Sequence, residues 1–183
     1  MTADRAYRVV RRTERFQGPV FSVVTDEVEL PGGEVVARDY LRHVGAVAVV
    51  ALDEQQRVVL VRQYRHPVGA ELWELPAGLA DVAGEQPREV AARELAEEAD
   101  LRAGTIEPLV DIHPSPGVSD ERIRIFLARE LTPTDAPHQR EHEEATLTVS
   151  RVPLDEAVKM IFDGRITNGP AVAGILAAAR RLG

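Results

Sequence analysis

Glu94, Glu97 and Glu98 stand at i, i+3 and i+4 within REVAARELAEEADL, residues 88–101. A 3.6-residue period stacks such a trio on one side of a helix. Like charges at that spacing cost an exposed helix about 0.2–0.5 kcal/mol per pair. The ordinary meaning of an acidic run is a solvated face, with Arg93 relieving Glu97 through an i,i+4 pair and Arg88 lying nearby. Two features point further. The opposite arc, Ala91, Ala92, Leu95, Ala96 and Ala99, is small and apolar, so the helix packs closely and its acidic side faces a defined place. The preceding ELPAGLADVAGE, residues 74–85, brings a strand end, a Gly turn, a backbone carbonyl and Glu85 to the same spot. Hard divalent cations take oxygen ligands, often one or two carboxylates together with substrate phosphate. The chemistry implied is metal-assisted work on a phosphorylated substrate.

The elements around that helix read as many short strands joined by tight turns. VFSVVTDEVELPGGEVVARDYLRH suggests a hairpin around PGG. GAVAVVALD and RVVLVRQYR read as a second strand pair across DEQQ, the first apolar enough to be buried on both faces. LWELPAGL is extended, and Pro87 suits the first turn of the acidic helix, where its missing N–H is harmless. IEPLVDIH and RIRIFLAREL read as strands around the loop PSPGVSDE, and TLTVSRV as another strand after the polar loop PTDAPHQREHEEA. Residues 153–162 and 171–182 close the chain as helices. This is a mixed sheet with few helices, α/β or α+β, covered on both sides.

Composition sets bounds on partners. The 183 residues fit one domain with an appended arm. A formal charge of -8 argues against a non-specific grip on nucleic acid or an anionic membrane. With no cysteine there is no disulfide, thiolate nucleophile or Cys-ligated zinc. No signal-peptide pattern or long apolar run is present, and the expected location is the cytoplasm.

The acidic segment resembles the signature of the Nudix hydrolases: Gly, five residues, Glu, seven residues, Arg-Glu-apolar, one residue, Glu-Glu, one residue, Gly, apolar. Glu85, Arg93-Glu94-Leu95, Glu97-Glu98 and Leu101 fall in that order. Two positions depart from it. Six residues, rather than five, separate Gly78 from Glu85, and Asp100 replaces the second Gly. Asp tolerates the left-handed backbone better than most residues.

The resemblance implies an α/β/α Nudix sandwich with a mixed β-sheet, residues 43–183, plus an N-terminal β-hairpin arm, residues 1–42, that dimerises. It implies hydrolysis of a nucleoside diphosphate linked to another group. Mg2+ or Mn2+ would be held by Glu94 and Glu98, with Glu97 assisting, Arg93 orienting the glutamates and the Ala77 carbonyl as a further ligand. Such cations neutralise and position the pyrophosphate and lower the pKa of a water.

Pro116, in SPG at 115–117 and fifteen residues past Leu101, resembles the proline marking the ADP-ribose pyrophosphatase branch. ELPAGL and EHEEA also look like that branch. There a late-loop glutamate binds metal or acts as base, which maps onto Glu143 with Glu141 as rival, while His142 and Glu144 face away. Arg65 and Arg38 are candidates for the diphosphate, and Gly78, Leu79, Ser115, Pro116 and Gly117 for lining the substrate. Phe16 or Phe21 from the arm would stack on adenine, although core packing is the commoner fate of Phe21, as of Trp73. The expected reaction gives AMP and ribose 5-phosphate from ADP-ribose. The alternatives are other nucleotide sugars such as GDP-mannose or ADP-glucose, or a non-catalytic ADP-ribose sensor.

Overall fold

The computed structural model describes residues 7–82, 84–136, 138 and 146–183, in two compact units. One runs to Val44 and takes in Ser115–Glu121; the other comprises Gly45–Pro114 and Arg122–Gly183.

The first unit is an antiparallel meander of β1 (Arg8–Gln17), β2 (Phe21–Glu29) and β3 (Val35–His43) in the order β1-β2-β3. The β2–β3 hairpin turns at PGG, where Gly33 takes φ 86 and donates its N–H to the Leu30 carbonyl at 2.8 Å. The expected hairpin is therefore three-stranded. Its first strand, RVVRRTERFQ, is almost wholly exposed and shows no apolar alternation. Its backbone pairs with β2, and its side chains are matched by charge: Arg8, Arg11 and Arg12 lie opposite Glu29, Glu27 and Asp26 and pair with them across the strands.

The Arg12–Asp26 pair is two-pronged, at 2.7 Å on each oxygen, and the Tyr40 hydroxyl donates to Asp26 at 3.0 Å. Hydrogen bonding to Arg12 holds the Asp26 carboxyl below the usual carboxylate range. Phe21 does not enter a core. It is 41% exposed, with its ring centroid 6.0 Å from that of Phe16.

In the second unit β4 (Ala46–Ala51), β5 (Arg57–Arg65), β6 (Ala70–Glu74), β7 (Ala77–Leu79), β8 (Leu101–Ile112), β9 (Ile123–Pro133) and β10 (Thr148–Pro153) form two sheets. One has the order β7-β4-β9-β8 and is mixed, because β4 runs parallel to β9 and antiparallel to β7. The other is antiparallel, β10-β5-β6. The expected β4–β5 pair is thus corrected: these strands go to different sheets, with an isolated Leu52–Val58 bridge at the turn between them. A strand apolar on both faces favours the centre of a sheet, and β4 has β7 and β9 as neighbours. Asp53 shapes the intervening turn, accepting the N–H groups of Gln55 and Arg57 at 3.0 and 2.9 Å.

Both faces are covered. Val47, Val49 and Ala51 pack with Val90, Ala91, Leu95 and Ala99 of α1 (Pro87–Ala99). The alternate residues Ala48, Val50 and Leu52 pack with Ala157 and Met160 of α2 (Leu154–Phe162) and Ala171, Ile175 and Ala178 of α3 (Gly169–Leu182). This is the α/β/α sandwich. Period-two alternation along one strand assigns each side chain to one helical layer. Helix α3 sits close to the sheet because Gly174 leaves space for Leu75, Val50 and Ile125, which a Cβ would crowd. Trp73 is part of this core's margin, with the Arg62 guanidinium 5.7 Å above its ring.

Strand β8 starts at Leu101, earlier than expected, because Gly104 interrupts the sequence pattern. The interruption has a purpose: the Glu130 side chain of β9 occupies the space a Cβ would take. Among the described residues no helix is long and apolar enough to cross a membrane.

Candidate active site

Helix α1 begins at Gln86, whose N–H is accepted by the Glu89 carboxylate at 2.9 Å, with Pro87 in the first helical position. It ends at Asp100, which adopts the left-handed conformation (φ 54, ψ 38) expected of a Gly substitute. Between these caps the acidic face is less exposed than the sequence suggests. Glu94 is 9% exposed and Glu98 only 4%.

Each carboxylate has a defined partner. Glu98 Oε2 accepts the Ala77 N–H at 2.9 Å, fastening the helix to β7. Arg93 Nη1 donates to Glu94 at 2.6 Å and Glu97 at 3.0 Å, while its Nε and Nη2 reach Glu85 at 3.2 and 3.4 Å. Hydrogen bonding to Glu85, with the added attraction of Glu94 and Glu97, holds the Arg93 guanidinium above its usual range. The longer loop thus still delivers Glu85 to the cluster.

Gly78 has a steric duty here. A Cβ at that position would land on the Glu94 carboxyl group, so the turn can pass the helix only without a side chain. Ala77, Gly78 and Leu79 are all half-buried in β7. Arg65, at the end of β5, grips the buried Glu74 of β6 with two bonds of 2.9 and 2.6 Å. Hydrogen bonding to Glu74 raises its pKa, with a contribution from Glu98 that puts Arg65 within electrostatic reach of the helix.

Among the described residues no three carboxylate or imidazole groups are drawn together as a finished metal cage. The donor chemistry nevertheless fits a hard cation. Glu85, Glu94 and Glu97 share one guanidinium, and Glu98 stands on the backbone amide of Ala77. A carboxylate has about four lone-pair sites, so one or two hydrogen bonds leave it able to ligate.

The other expected residues belong to the meander unit or fall outside the described residues. Arg38 and Phe16 belong to the meander, Arg38 donating to the neighbouring Ala37 carbonyl at 2.8 Å. Ser115, Pro116 and Gly117 also belong to that unit: the Ser115 carbonyl accepts the Val118 and Ser119 N–H groups at 3.0 Å, and Leu41 of β3 donates to Val118 at 2.8 Å. Glu141 and Glu143, with His142 and Glu144, lie outside the described residues. The sequence reading missed Glu74. Its signal was the second acid of AELWE, two residues before a proline, with an arginine at the end of the preceding strand.

Three comparisons bear on this arrangement. Residues 41–173 match the model of the NUDIX domain. The chain is 44% identical to an ADP-ribose pyrophosphatase of Mycobacterium tuberculosis, over 96% of this chain and 84% of that protein. It is 34% identical to a methanol dehydrogenase activator of Bacillus methanolicus, over 92% and 90% of the two chains. In fold it resembles the crystal structure of an ADP compounds hydrolase with a TM-score of 0.79 at 22% identity, covering 96% of this chain and 94% of that one. With its helix, turn and carboxylates in this order and with this extent of similarity, the chain belongs to the NUDIX domain family.

Proposed function

We propose that this chain is a divalent-metal-dependent hydrolase that converts ADP-ribose and water to AMP and ribose 5-phosphate. The observation that carries the reading is the Glu94, Glu97 and Glu98 face of α1 held against the Ala77–Gly78 turn. The 44% identity to an ADP-ribose pyrophosphatase supports the substrate. Glu94 and Glu98 are the proposed ligands, with Glu97 and the Ala77 carbonyl assisting, and Mg2+ or Mn2+ the proposed cation. When bound, such a cation neutralises the pyrophosphate and makes a water more acidic.

The chain's own groups do the rest. Arg93 restrains the glutamates, so little reorganisation remains when substrate arrives. Glu143, with Glu141 as rival, takes the proton of the attacking water. One phosphorus–oxygen bond forms, the bond to the bridging oxygen breaks, and the departing phosphate carries that oxygen away. Arg65, with Gly78 and Leu79, is proposed to meet the diphosphate; Arg38, Phe16, Ser115, Pro116 and Gly117 are proposed substrate contacts of the meander unit.

We also propose a homodimer in the cytoplasm. Val24 is the only buried apolar side chain among the described residues of the meander unit, while Val9, Val10, Phe16, Phe21 and Val35 are each more than 40% exposed. A three-stranded sheet without a core of its own calls for a partner surface. Sedimentation at micromolar concentration should give twice the chain mass; a species of 20.1 kDa alone would refute it.

The activity test is incubation with ADP-ribose and Mg2+, with and without chelator. AMP should appear only when the cation is available. Unchanged nucleotide after prolonged exposure would sink the reading. Faster turnover of GDP-mannose or ADP-glucose in the same panel would move it to another nucleotide sugar.

A further inference from the structure

Alternate residues of a strand share a face. Along β5, Val59 packs with α1 while Leu60 packs with the other helical layer, so Val61, Gln63 and Arg65 stand on the α1 side of the strand. Across to β6 the rungs on that side are Val61–Glu74, Gln63–Leu72 and Arg65–Ala70. Arg65 reaches back to Glu74 with bonds of 2.9 and 2.6 Å, and this guanidinium–carboxylate bridge therefore crosses the Gln63–Leu72 rung that lies between them.

Gln63, under the bridge, is 6% exposed. A buried amide ordinarily finds a partner, because desolvating it without one is costly. That of Gln63 makes no hydrogen bond among the described residues. Every fully sealed side-chain nitrogen and oxygen among them does have a partner, so the Gln63 amide must still open to solvent through a narrow gap. Water is the default occupant of such a gap, and a ligand group with the same donors and acceptors replaces it. An amide offers both a donor and an acceptor, whereas the neighbouring guanidinium only donates. Arg65 keeps Nη1 for a phosphate, but a phosphate over Gln63 would meet the Glu74 carboxylate, and like charges repel strongly away from water. A hydroxyl, neutral and able both to give and to accept, suits that position.

We propose that Gln63 is a specificity-determining residue: its amide hydrogen-bonds a hydroxyl of a sugar joined to the diphosphate that Arg65 receives. The inference rests on the nucleotide-sugar reading above and adds to it the group that reads the sugar. A site built to bond a hydroxyl turns away the analogue that lacks it, because its own polar group is then left buried and unpaired.

Gln63→Met keeps the shape of the side chain and removes the amide, and Gln63→Leu is a second apolar replacement should the first misfold. Each should match or exceed the parent in Tm, since an unpaired buried amide contributes nothing to stability. With ADP-ribose and Mg2+, kcat/KM should fall about 10–100-fold. Two analogues separate the sugars: ADP butyl ester lacks the hydroxyls of the distal sugar, and the dideoxynucleoside form of ADP-ribose lacks those beside the base. The parent should disfavour one of them, and on that one the variants should stay within about twofold of the parent. Calorimetric titration with ADP-ribose in EDTA should show the same weakening without turnover.

The proposal is overturned if the variants keep the parent's preference for ADP-ribose over both analogues, or if Tm falls while kinetics and binding are unchanged, which would make Gln63 a packing residue. If the parent fails to cleave ADP-ribose, the function proposed above falls and the titration decides separately: weaker binding in Gln63→Met upholds the contact, and equal or absent binding in the parent removes it.

Discussion

Replacing Gly78 with alanine tests whether the turn before α1 exists to make room for Glu94. The added methyl would coincide with the Glu94 carboxyl, while the turn itself is pinned by the Ala77–Glu98 bond and by pairing with β4. The carboxyl is the end of a flexible side chain, so it swings away rather than unfolding the protein. Forcing it off its rotamer costs about 0.5–1.5 kcal/mol. Loss of the 2.6 Å bond from Arg93 adds about 1–1.5 kcal/mol. The total is about 1.5–3 kcal/mol, a fall in Tm of roughly 3–12 °C for a chain of this size.

The larger consequence is functional. A displaced proposed ligand should weaken metal affinity about 10–100-fold, by analogy with disturbed metal-site geometry. Initial rates against Mg2+ concentration read this directly: the half-saturating concentration should rise while excess metal recovers part of the rate. Gly169→Ala is the control, because a Cβ there meets no atom within 4 Å, and it should leave both measurements unchanged. Parent-like metal dependence in Gly78→Ala would refute the steric reasoning, whatever happened to stability.

Glu98→Gln should retain the fold, because the amide oxygen still accepts the Ala77 N–H and one repulsive charge is removed; Tm within about 4 °C of the parent and turnover down about 100-fold or more are expected. Asp26 gives a pH prediction. Its pKa in the folded chain lies below that of the unfolded chain, so its stabilisation is complete above the unfolded value and disappears as pH falls through the folded one. Acid unfolding followed by circular dichroism should steepen below about pH 4, and Asp26→Asn should flatten that region while lowering stability at neutral pH by about 1–3 kcal/mol. An unchanged acid limb in Asp26→Asn would place the sensitivity elsewhere.

The sandwich was legible where periodicity was strong. The two-faced apolar run at 46–51, the Pro-started acidic helix and the two closing helices all appear close to their expected limits. Pairing was less legible. Nothing in GAVAVVALD says which strands will flank it, and the short DEQQ turn suggested a hairpin that its Asp53 cap turns into a crossing between sheets. Strand β1 was missed because its side-chain contacts are arginines matched to acids ten or more residues away, an interaction without local period.

At the site, helical spacing was enough to gather Glu94, Glu97 and Glu98. It could not reveal that two of them are nearly buried or that a backbone amide fastens one, because both depend on the β7 turn packing against the helix. Phe21 illustrates the opposite error. Hydrophobicity alone suggested a core position on a sheet that has almost no core.

The two-pronged grip of Glu74 on Arg65 has a bearing on how an anion would be received there. The guanidinium remains 44% exposed on its side chain, yet its plane is already fixed by a carboxylate that is itself out of the solvent. An arriving phosphate would therefore meet a donor with little rotational freedom left to lose and a charge already largely matched. Contact at that edge would reward correct orientation far more than it would draw ligands from a distance, a property suited to sorting bound molecules by shape.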